Sequence, residues 1–231
     1  MDCKKKVKKK QMNNLINFLK IFLSIPKIIY VNFKVLNIKD AIKLPILVLY
    51  NVKVRGLKKG SIQIKGETHF FQIKIGYGGS NAIISNRYGQ LVLKNDSKLI
   101  FKGKAHFGEG IVFYSDGGTT NIHDGFSCNK NCFFSLNNNA TFGKDCMIGW
   151  NVAIRDSDGH KIVPNSNKKS DINVGNHVWI CSHVDILKGT TIGNNCVIAY
   201  RSCCIGGNYK DNLLIGGYPA KIIKENINWE F

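Results

Sequence analysis

The chain has 231 residues, 44% of them hydrophobic, and its 33 lysines and arginines against 15 acidic residues give a formal net charge of +18. This length is sufficient for a single large hydrophobic core. The eight cysteines show neither a disulfide framework nor metal-site spacing, a usage typical of a reducing cytoplasm. No zinc-finger, RNA-binding or helix-turn-helix signature accompanies the charge, which argues against nucleic acid as a partner.

The positive charge is concentrated at the amino terminus. Residues 1–65 contain fifteen lysines and one arginine against two acidic residues, whereas the remaining 166 residues carry a net charge of only +4. This asymmetry favours an acidic partner surface, such as an anionic membrane leaflet or a phosphorylated protein. A lysine-rich composition with a solvated tail explains it equally well. The first ten residues, six of them lysines, are expected to be disordered.

A phenylalanine-rich amphipathic helix is predicted next. One helical side carries Leu15, Ile16, Phe18, Leu19, Phe22 and Leu23. Lys20, Pro26 and Lys27 interrupt the apolar stretch, so we expect no membrane-spanning helix, and no cleavage site indicates a signal peptide. The helix is predicted to lie in a membrane interface, to cover the open end of a repeat stack, or to do both.

Short strands follow this helix. Leu44–Tyr50 and Val52–Ile64 are predicted strands. Between Ser61 and Leu136 apolar residues recur at a spacing of six, but the register slips repeatedly. We therefore expect irregular early coils that lead into regular later ones.

Regular six-residue repeats fill the stretch from Val174 to Tyr209 without remainder. Their first position holds Val174, Ile180, Ile186, Ile192, Ile198 and Cys204. Their fifth position holds Val178, Val184, Thr190, Cys196, Ser202 and Asn208. A period of six fits neither a helix nor a simple strand, but it is typical of a parallel β-coil in which three repeats complete a triangular turn. The repeats continue upstream from Phe142, Ile148 and Ile154.

A loop is predicted to leave the coil between Ile154 and Val174, because this interval is two residues longer than three repeats. The loop contains His160. Near the carboxyl terminus, Ile215–Lys221 is a glycine-rich turn, and a short helix is predicted over Lys221–Asn226.

Three segments carry a family resemblance: GWNVAIRDSDGHKI, NHVWICSHVDILKGTTIG and the closing IGGYPAKIIKEN. They resemble the hexapeptide-repeat acyltransferases, and within them the sugar O-acetyltransferases of polysaccharide and glycan assembly. The resemblance covers roughly Ser61 to the carboxyl terminus, and IKLPILVLY resembles the amino-terminal cap of these enzymes. It implies a left-handed parallel β-helix over residues 58–231, a basic leader and cap over 1–57, and a homotrimer with acetyl-CoA between two subunits.

The chemistry of acetyl transfer to a sugar hydroxyl requires a base for the hydroxyl proton and donors for the developing oxyanion. Imidazole suits the base, and His160 is the best candidate because it follows Asp156 and Asp158, either of which could orient its ring. It also matches the family's catalytic position. Trp179 matches a family tryptophan whose ring and backbone N–H wall and polarise the thioester site. A bystander loop histidine and a packing aromatic are the alternatives, and His177 is the next candidate base.

The resemblance implies the other site residues. Trp150 and Asn151 precede the catalytic loop and are expected to contact the acceptor. The residues predicted to bind acetyl-CoA are Cys181, Ser182, Ala199, Arg201, Ser202 and Lys221. Among these, the two basic groups are expected to meet the nucleotide phosphates. Cys181 stands where the family usually has glycine and Tyr218 where it has asparagine, which predicts an altered pocket.

Other functions share much of this pattern. An N-acetyltransferase for amino sugars would use most of the same residues. A metal-dependent hydratase of the gamma carbonic anhydrase type needs a histidine pair five residues apart, whereas His177 and His183 are six apart, so no metal is expected. A non-catalytic scaffold is disfavoured by His160 and Trp179 together. The favoured function is an acetyl-CoA-dependent sugar O-acetyltransferase in the cytoplasm, at the inner face of the membrane.

Overall fold

Two helices precede the strands in the part of the chain that the computed structural model describes, which comprises residues 2–85, 87–160, 163 and 169–230, with side chains from Leu15 onward. They are α1 (Asp2–Val35) and α2 (Ile38–Ala41). Helix α1 already begins at Asp2, so the expectation that the first ten residues are disordered is wrong. The predicted helix after the lysine run is confirmed.

The strands are short and follow one another at regular intervals. They are β1 (Ile46–Val48), β2 (Val52–Arg55), β3 (Ile62–Ile64), β4 (Ile73–Ile75), β5 (Gly89–Lys94), β6 (Lys98–Lys102), β7 (Ala105–Phe107), β8 (Val112–Asp116), β9 (Thr119–His123), β10 (Phe126–Cys128), β11 (Phe133–Leu136), β12 (Ala140–Phe142), β13 (Met147–Ile148), β14 (Ala153–Arg155), β15 (Ile172–Val174), β16 (Trp179–Ile180), β17 (Asp185–Leu187), β18 (Thr190–Ile192), β19 (Val197–Ile198), β20 (Cys203–Cys204), β21 (Gly207–Tyr209), β22 (Leu213–Gly217) and β23 (Ala220–Glu225).

Three sheets form the sides of a triangular coil. Sheet A runs β1-β4-β7-β10-β13-β16-β19-β22-β23, sheet B runs from β2 to β20, and sheet C runs from β3 to β21. Successive strands enter sheets A, B and C in turn, and all neighbours are parallel up to β22. The chain is thus a left-handed parallel β-helix, as the sequence resemblance implied. We call the turns between successive sheets the A/B, B/C and C/A corners.

The repeat positions point where the sequence predicts. The first-position residues from Val174 to Cys204 are at most 3% exposed, and those at the fifth position are buried except Asn208. Ile180 pairs with Ile198, so each regular coil takes eighteen residues. These side chains fill the axis of the coil, where burial of each large aliphatic group stabilises the fold by about 1.5–3 kcal/mol.

The earlier coils are longer and are filled by phenylalanine. Phe113 pairs with Phe134 and Phe134 with Ile154, which corresponds to coils of 21 and 20 residues. A continuous aromatic stack occupies their interior, formed by Phe101, Phe107, Phe113, Phe126, Phe134 and Phe142. The expectation of irregular early coils is confirmed, because the larger rings accompany a wider turn than the isoleucine repeats.

The C/A corner is held by a ladder of side-chain oxygens. The Oδ1 of Asn176 accepts from the Lys144 N–H (2.8 Å), and the Oδ1 of Asn194 accepts from the Asn176 N–H (2.8 Å). The residue after each rung is left-handed, with φ of 53° at His177 and 56° at Asn195. Asn tolerates this conformation, and its amide satisfies a backbone donor that a turn would leave unpaired. His177 therefore occupies a structural corner position.

The end of the chain differs from the prediction. Residues Ala220–Glu225 form strand β23, which pairs antiparallel with β22, so the short carboxyl-terminal helix predicted over Lys221–Asn226 is wrong. Strand β22 would otherwise end sheet A with an unpaired edge, and β23 supplies its partner. At the other end the coil already starts with β1, within the segment 1–57 that the sequence assigns to leader and cap.

Candidate functional site

The loop that carries His160 lies at the B/C corner, between β14 and β15. Ile148 pairs with Ile180, 32 residues later, where a regular coil takes eighteen. The insertion is therefore fourteen residues rather than the predicted two, because Ile154 and Val174 belong to successive sheets and not to the same one. An antiparallel bridge between Ser157 and Lys169 closes its base. His160 is exposed, and residues 161–162 and 164–168 lie outside the described part of the chain.

Asp156 anchors this loop to the coil. Its side chain is fully buried, Oδ1 accepts from the Asn137 N–H (2.8 Å) and Oδ2 from the Asn138 N–H (2.6 Å). Burial raises the pKa of the Asp156 carboxyl, and the two backbone donors oppose that shift by favouring the ionised form. Asp158 pairs instead with Lys188, its Oδ2 lying 2.5 Å from Nζ. Within the described contacts neither carboxylate bonds His160, so an orienting role for either stays a prediction.

Replacing Asp156 by asparagine should lower the free energy of unfolding by about 1–3 kcal/mol, because an amide offers one acceptor where two buried N–H groups need two. Burial raises the folded-state pKa above its usual 3.8, so the stability that the carboxyl contributes is complete below pH 3.8 and declines as the pH rises. The deficit of D156N should accordingly shrink with pH in urea unfolding. The partly exposed Asp158 is the control, and a larger loss in D158N would contradict this assignment.

A second group of predicted residues surrounds a cavity on sheet A and its A/B corner. The cavity measures about 400 Å³, and its lining is Asn129, Met147, Ile148, Gly149, Trp150, Trp179, Cys181, Ser182 and Tyr200. It thus joins Trp150, predicted for the acceptor, with Cys181 and Ser182, predicted for acetyl-CoA. Met147 and Tyr200 were not predicted as site residues.

Close coil spacing shapes the floor of this cavity. A Cβ at Gly149 would lie 2.5 Å from the Ser182 backbone nitrogen, so only glycine fits there. The Ser182 hydroxyl accepts from the Trp150 N–H (3.2 Å) and holds the two coils together. Cys181 is half-buried on the wall, and burial raises the pKa of its thiol, which favours the neutral and less nucleophilic form.

Trp179 contributes its ring to the site but not its main chain. The side chain is 38% exposed on sheet A. Its backbone N–H donates to the Cys196 carbonyl (2.9 Å) within the sheet, so the predicted polarising role of that N–H is wrong. The indole remains as the wall. Asn151 sits at the A/B corner with φ of 55°, its amide nitrogen 3.3 Å from Nε2 of His183, which fixes its side chain beside the cavity.

The remaining residues predicted for acetyl-CoA continue along the A/B corner. Ala199 lies in the coil after Cys181, and its N–H donates to the Ile215 carbonyl (2.8 Å). Ser202 is buried and its hydroxyl accepts from the Gly217 N–H (3.1 Å), so it supports the closing turn. Arg201 and Lys221 are exposed. The Arg201 guanidinium lies 5.5 Å from the centroid of the Tyr200 ring, at the upper rim of the cavity.

Trp229 is a residue that sequence reasoning missed. Its ring stacks on His177, with centroids 4.0 Å apart, and its Nε1 donates to the His177 carbonyl (3.1 Å). It also lies 5.8 Å from the ring of Trp179. The His177 ring is further engaged, its Nδ1 lying 3.0 Å from Oδ1 of Asn195. The tail carries no six-residue pattern, so no sequence signal placed it on the C/A corner.

The candidate site is divided within one chain. His160 follows β14 at the B/C corner, whereas the cavity around Trp179 and Cys181 lies on sheet A and the A/B corner. His177 and His183 lie at the C/A and A/B corners, respectively. Among the residues that the structure describes, no group of three or more His, Cys, Asp or Glu side chains is arranged to hold a metal.

Comparisons with known proteins give relatives of one kind. A polysialic acid O-acetyltransferase of Escherichia coli O1:K1 is 33% identical over 61% of this chain and 41% of its own length. A galactoside O-acetyltransferase of Escherichia coli K12 is 32% identical over 49% of this chain and 58% of its own. A third relative of that strain, named for O-acetyl transfer in lipopolysaccharide biosynthesis, is 30% identical over 52% and 63%.

Structural comparison gives a similar result at lower resemblance. The crystal structure of the polysialic acid O-acetyltransferase OatWY is 25% identical and covers 80% of this chain and 87% of that one, with a TM-score of 0.43. No protein-family model matches the sequence. The chain spans about half the length of the curated relatives it matches. These relatives confirm the sequence resemblance to the sugar O-acetyltransferases.

Proposed function

We propose that this protein is an O-acetyltransferase that moves an acetyl group from acetyl-CoA to a sugar hydroxyl of a glycan, a polysaccharide or its precursor. The observation that carries the proposal is the cavity of about 400 Å³ on sheet A, which unites Trp179, Cys181 and Ser182. An apolar slot of this size between coils suits a thioester arm. The relatives support the reaction class, since each is named for O-acetyl transfer.

The proposed base is His160. Its imidazole takes the proton of the sugar hydroxyl as the oxygen attacks the thioester carbonyl, and it returns that proton to the departing CoA thiolate. A neutral imidazole suits both steps because its ordinary pKa is near 6.5. Trp179 walls the thioester. Arg201 and Lys221, exposed beyond the upper rim of the cavity, are the proposed partners of the nucleotide phosphates.

The proposed assembly is a homotrimer with each site between two subunits. The B/C-corner loop and the A/B-corner cavity occupy different edges of one coil, so a single chain does not bring His160 to the proposed thioester. In a cyclic trimer every contact is heterologous, with a different patch on each side. Such a contact supports the pairing of the His160 loop of one subunit with the cavity of the next.

The proposed acceptor class and location follow from the relatives and the charge. Relatives named for polysialic acid, galactoside and lipopolysaccharide point to a glycan sugar. The proposed location is the cytoplasm, at the inner face of the membrane, because the basic residues concentrate in the leader.

Acetyl-CoA turnover is the direct test of the proposal. Thiol release from acetyl-CoA should rise several-fold with one class of acceptor in a panel of hexoses, sialic acid oligomers, galactosides and amino sugars. The rise should vanish in Cys181→Trp, which fills the cavity, and persist in Cys181→Ser. A rise with only amino sugars, lost when the amine is blocked, would indicate N-acetylation instead. Neither turnover nor CoA binding in wild type would overturn the proposal.

A further inference from the structure

Helix α1 closes the open lower end of the coil with one narrow face. Its most buried residues include Ser24, Ile28, Val31 and Val35, at most 2% exposed and spaced so that they form one stripe. This stripe covers the first coil. The predicted capping role of the helix is therefore confirmed for its second half.

Buried hydrogen bonds fix this part of α1 to strand β1. The Asn32 amide donates to the Ile46 carbonyl (2.7 Å), and its oxygen accepts from the Ile46 N–H (3.1 Å). The Ser24 hydroxyl accepts from the Tyr50 N–H (2.8 Å). Leu15–Val35 is long and apolar enough to cross a membrane, contrary to the sequence expectation. A spanning position would break these bonds and uncover the first coil, so the fold favours a helix that lies on the membrane.

The opposite face of α1 is apolar and exposed. Leu15, Phe18, Phe22 and Leu23 are 59%, 64%, 59% and 60% exposed, and further large apolar side chains continue this face to Phe33. A helix on the surface of a globular protein normally turns polar residues outward. A contiguous apolar face of this length marks an interaction surface.

Lysines border that apolar face. Lys20, Lys27 and Lys34 are seven residues apart, so they follow one line along the helix between its buried and exposed faces. Lys20 pairs with Glu109 (2.5 Å), and Lys27 donates to the Val52 carbonyl (2.7 Å). In sequence, Asp2–Val35 contains nine lysines and one acidic residue. An apolar face with a basic border and a basic extension complements an anionic bilayer, which supplies both hydrocarbon and negative headgroups.

We propose that α1 lies in the plane of an anionic membrane surface, with Phe18 and Phe22 inserted below the headgroups and the coil held outside. Lys20 reaches Glu109 at the A/B corner of the third coil, and the cavity lies on the same corner between the fourth and seventh coils. At about 4.8 Å per coil, the cavity lies roughly 5–20 Å from that level along the axis. The acceptor class that fits is a membrane-attached glycan, a conclusion that rests on the proposed function.

Vesicle co-sedimentation of the full-length protein tests the docking without acetyl-CoA. Wild type should bind phosphatidylcholine vesicles containing phosphatidylglycerol at least about tenfold more tightly than pure phosphatidylcholine, and salt should weaken this binding. Phe18→Ser with Phe22→Ser should weaken binding to the mixed vesicles at least about tenfold. Phe70→Ser is the matched control, since Phe70 is 66% exposed outside α1 and its loss should leave binding unchanged.

Equal binding by wild type and the double variant, or no binding by wild type, would overturn the docking proposal. A wild-type oligomer that dissociates in the double variant would assign the apolar face to a second copy of the chain and would also overturn it. Circular dichroism shows whether the variant keeps its fold. Vesicle binding without acetyl-CoA turnover would leave the docking standing and refute the transferase, so the two proposals fail separately.

Discussion

Replacing His160 by alanine should reduce the turnover number for acetyl transfer by about 100-fold or more, because the sugar hydroxyl then loses its proton acceptor in the transition state. The side chain is exposed on a loop outside the core, so the unfolding midpoint should not move. Steady-state rates of thiol release with a saturating acceptor provide the measurement. The Michaelis constant for acetyl-CoA should stay within a few-fold, since the proposed thioester cavity lies at another corner.

The matched control is His69→Ala, which removes another exposed histidine whose imidazole lies 3.9 Å from the Glu67 carboxylate. Its turnover should equal that of wild type. If H160A kept full turnover, the base would lie elsewhere. His177 would be the poorer substitute, because Trp229 stacks on its ring and Asn195 bonds Nδ1.

Mixing two inactive variants should restore activity if the site forms between subunits. His160→Ala removes the base and leaves the cavity intact, whereas Cys181→Trp fills the cavity and leaves the base intact. In trimers assembled at random from equal amounts, a site is complete when one subunit supplies His160 and its neighbour supplies the cavity. That arrangement occurs at roughly a quarter of all sites. Co-expressed variants should therefore show about a quarter of wild-type turnover, while each alone shows almost none.

Separately expressed variants mixed after folding are the control, since activity should then appear only as fast as subunits exchange. Size-exclusion chromatography with light scattering verifies that the mixed species is a trimer. Background turnover in the co-expressed sample would refute a site shared between subunits and would require His160 to reach the cavity of its own chain.

The coil was predictable because its signal is local and repeated. Isoleucines at Ile180, Ile186 and Ile192 occur every six residues, each is buried on the axis, and only a coil of three short sides buries such a period. The loop before Val174 was predictable as a break in that period. Its length was misjudged because spacing alone does not tell which sheet a residue joins. The final segment, Ala220–Glu225, was predicted as a helix, since pairing with a distant edge leaves no local signal.

The sequence by itself determined the repeat, the axis-facing residues, the exposed position of the His160 loop and the family resemblance, because each depends on residues close together in the chain. Only the tertiary structure decided which corner each group occupies. It placed Asp156 under two backbone N–H groups, engaged the Trp179 N–H in its sheet, and brought Trp229 onto His177. These contacts join segments 18 to 52 residues apart, and their geometry depends on how many residues each coil takes.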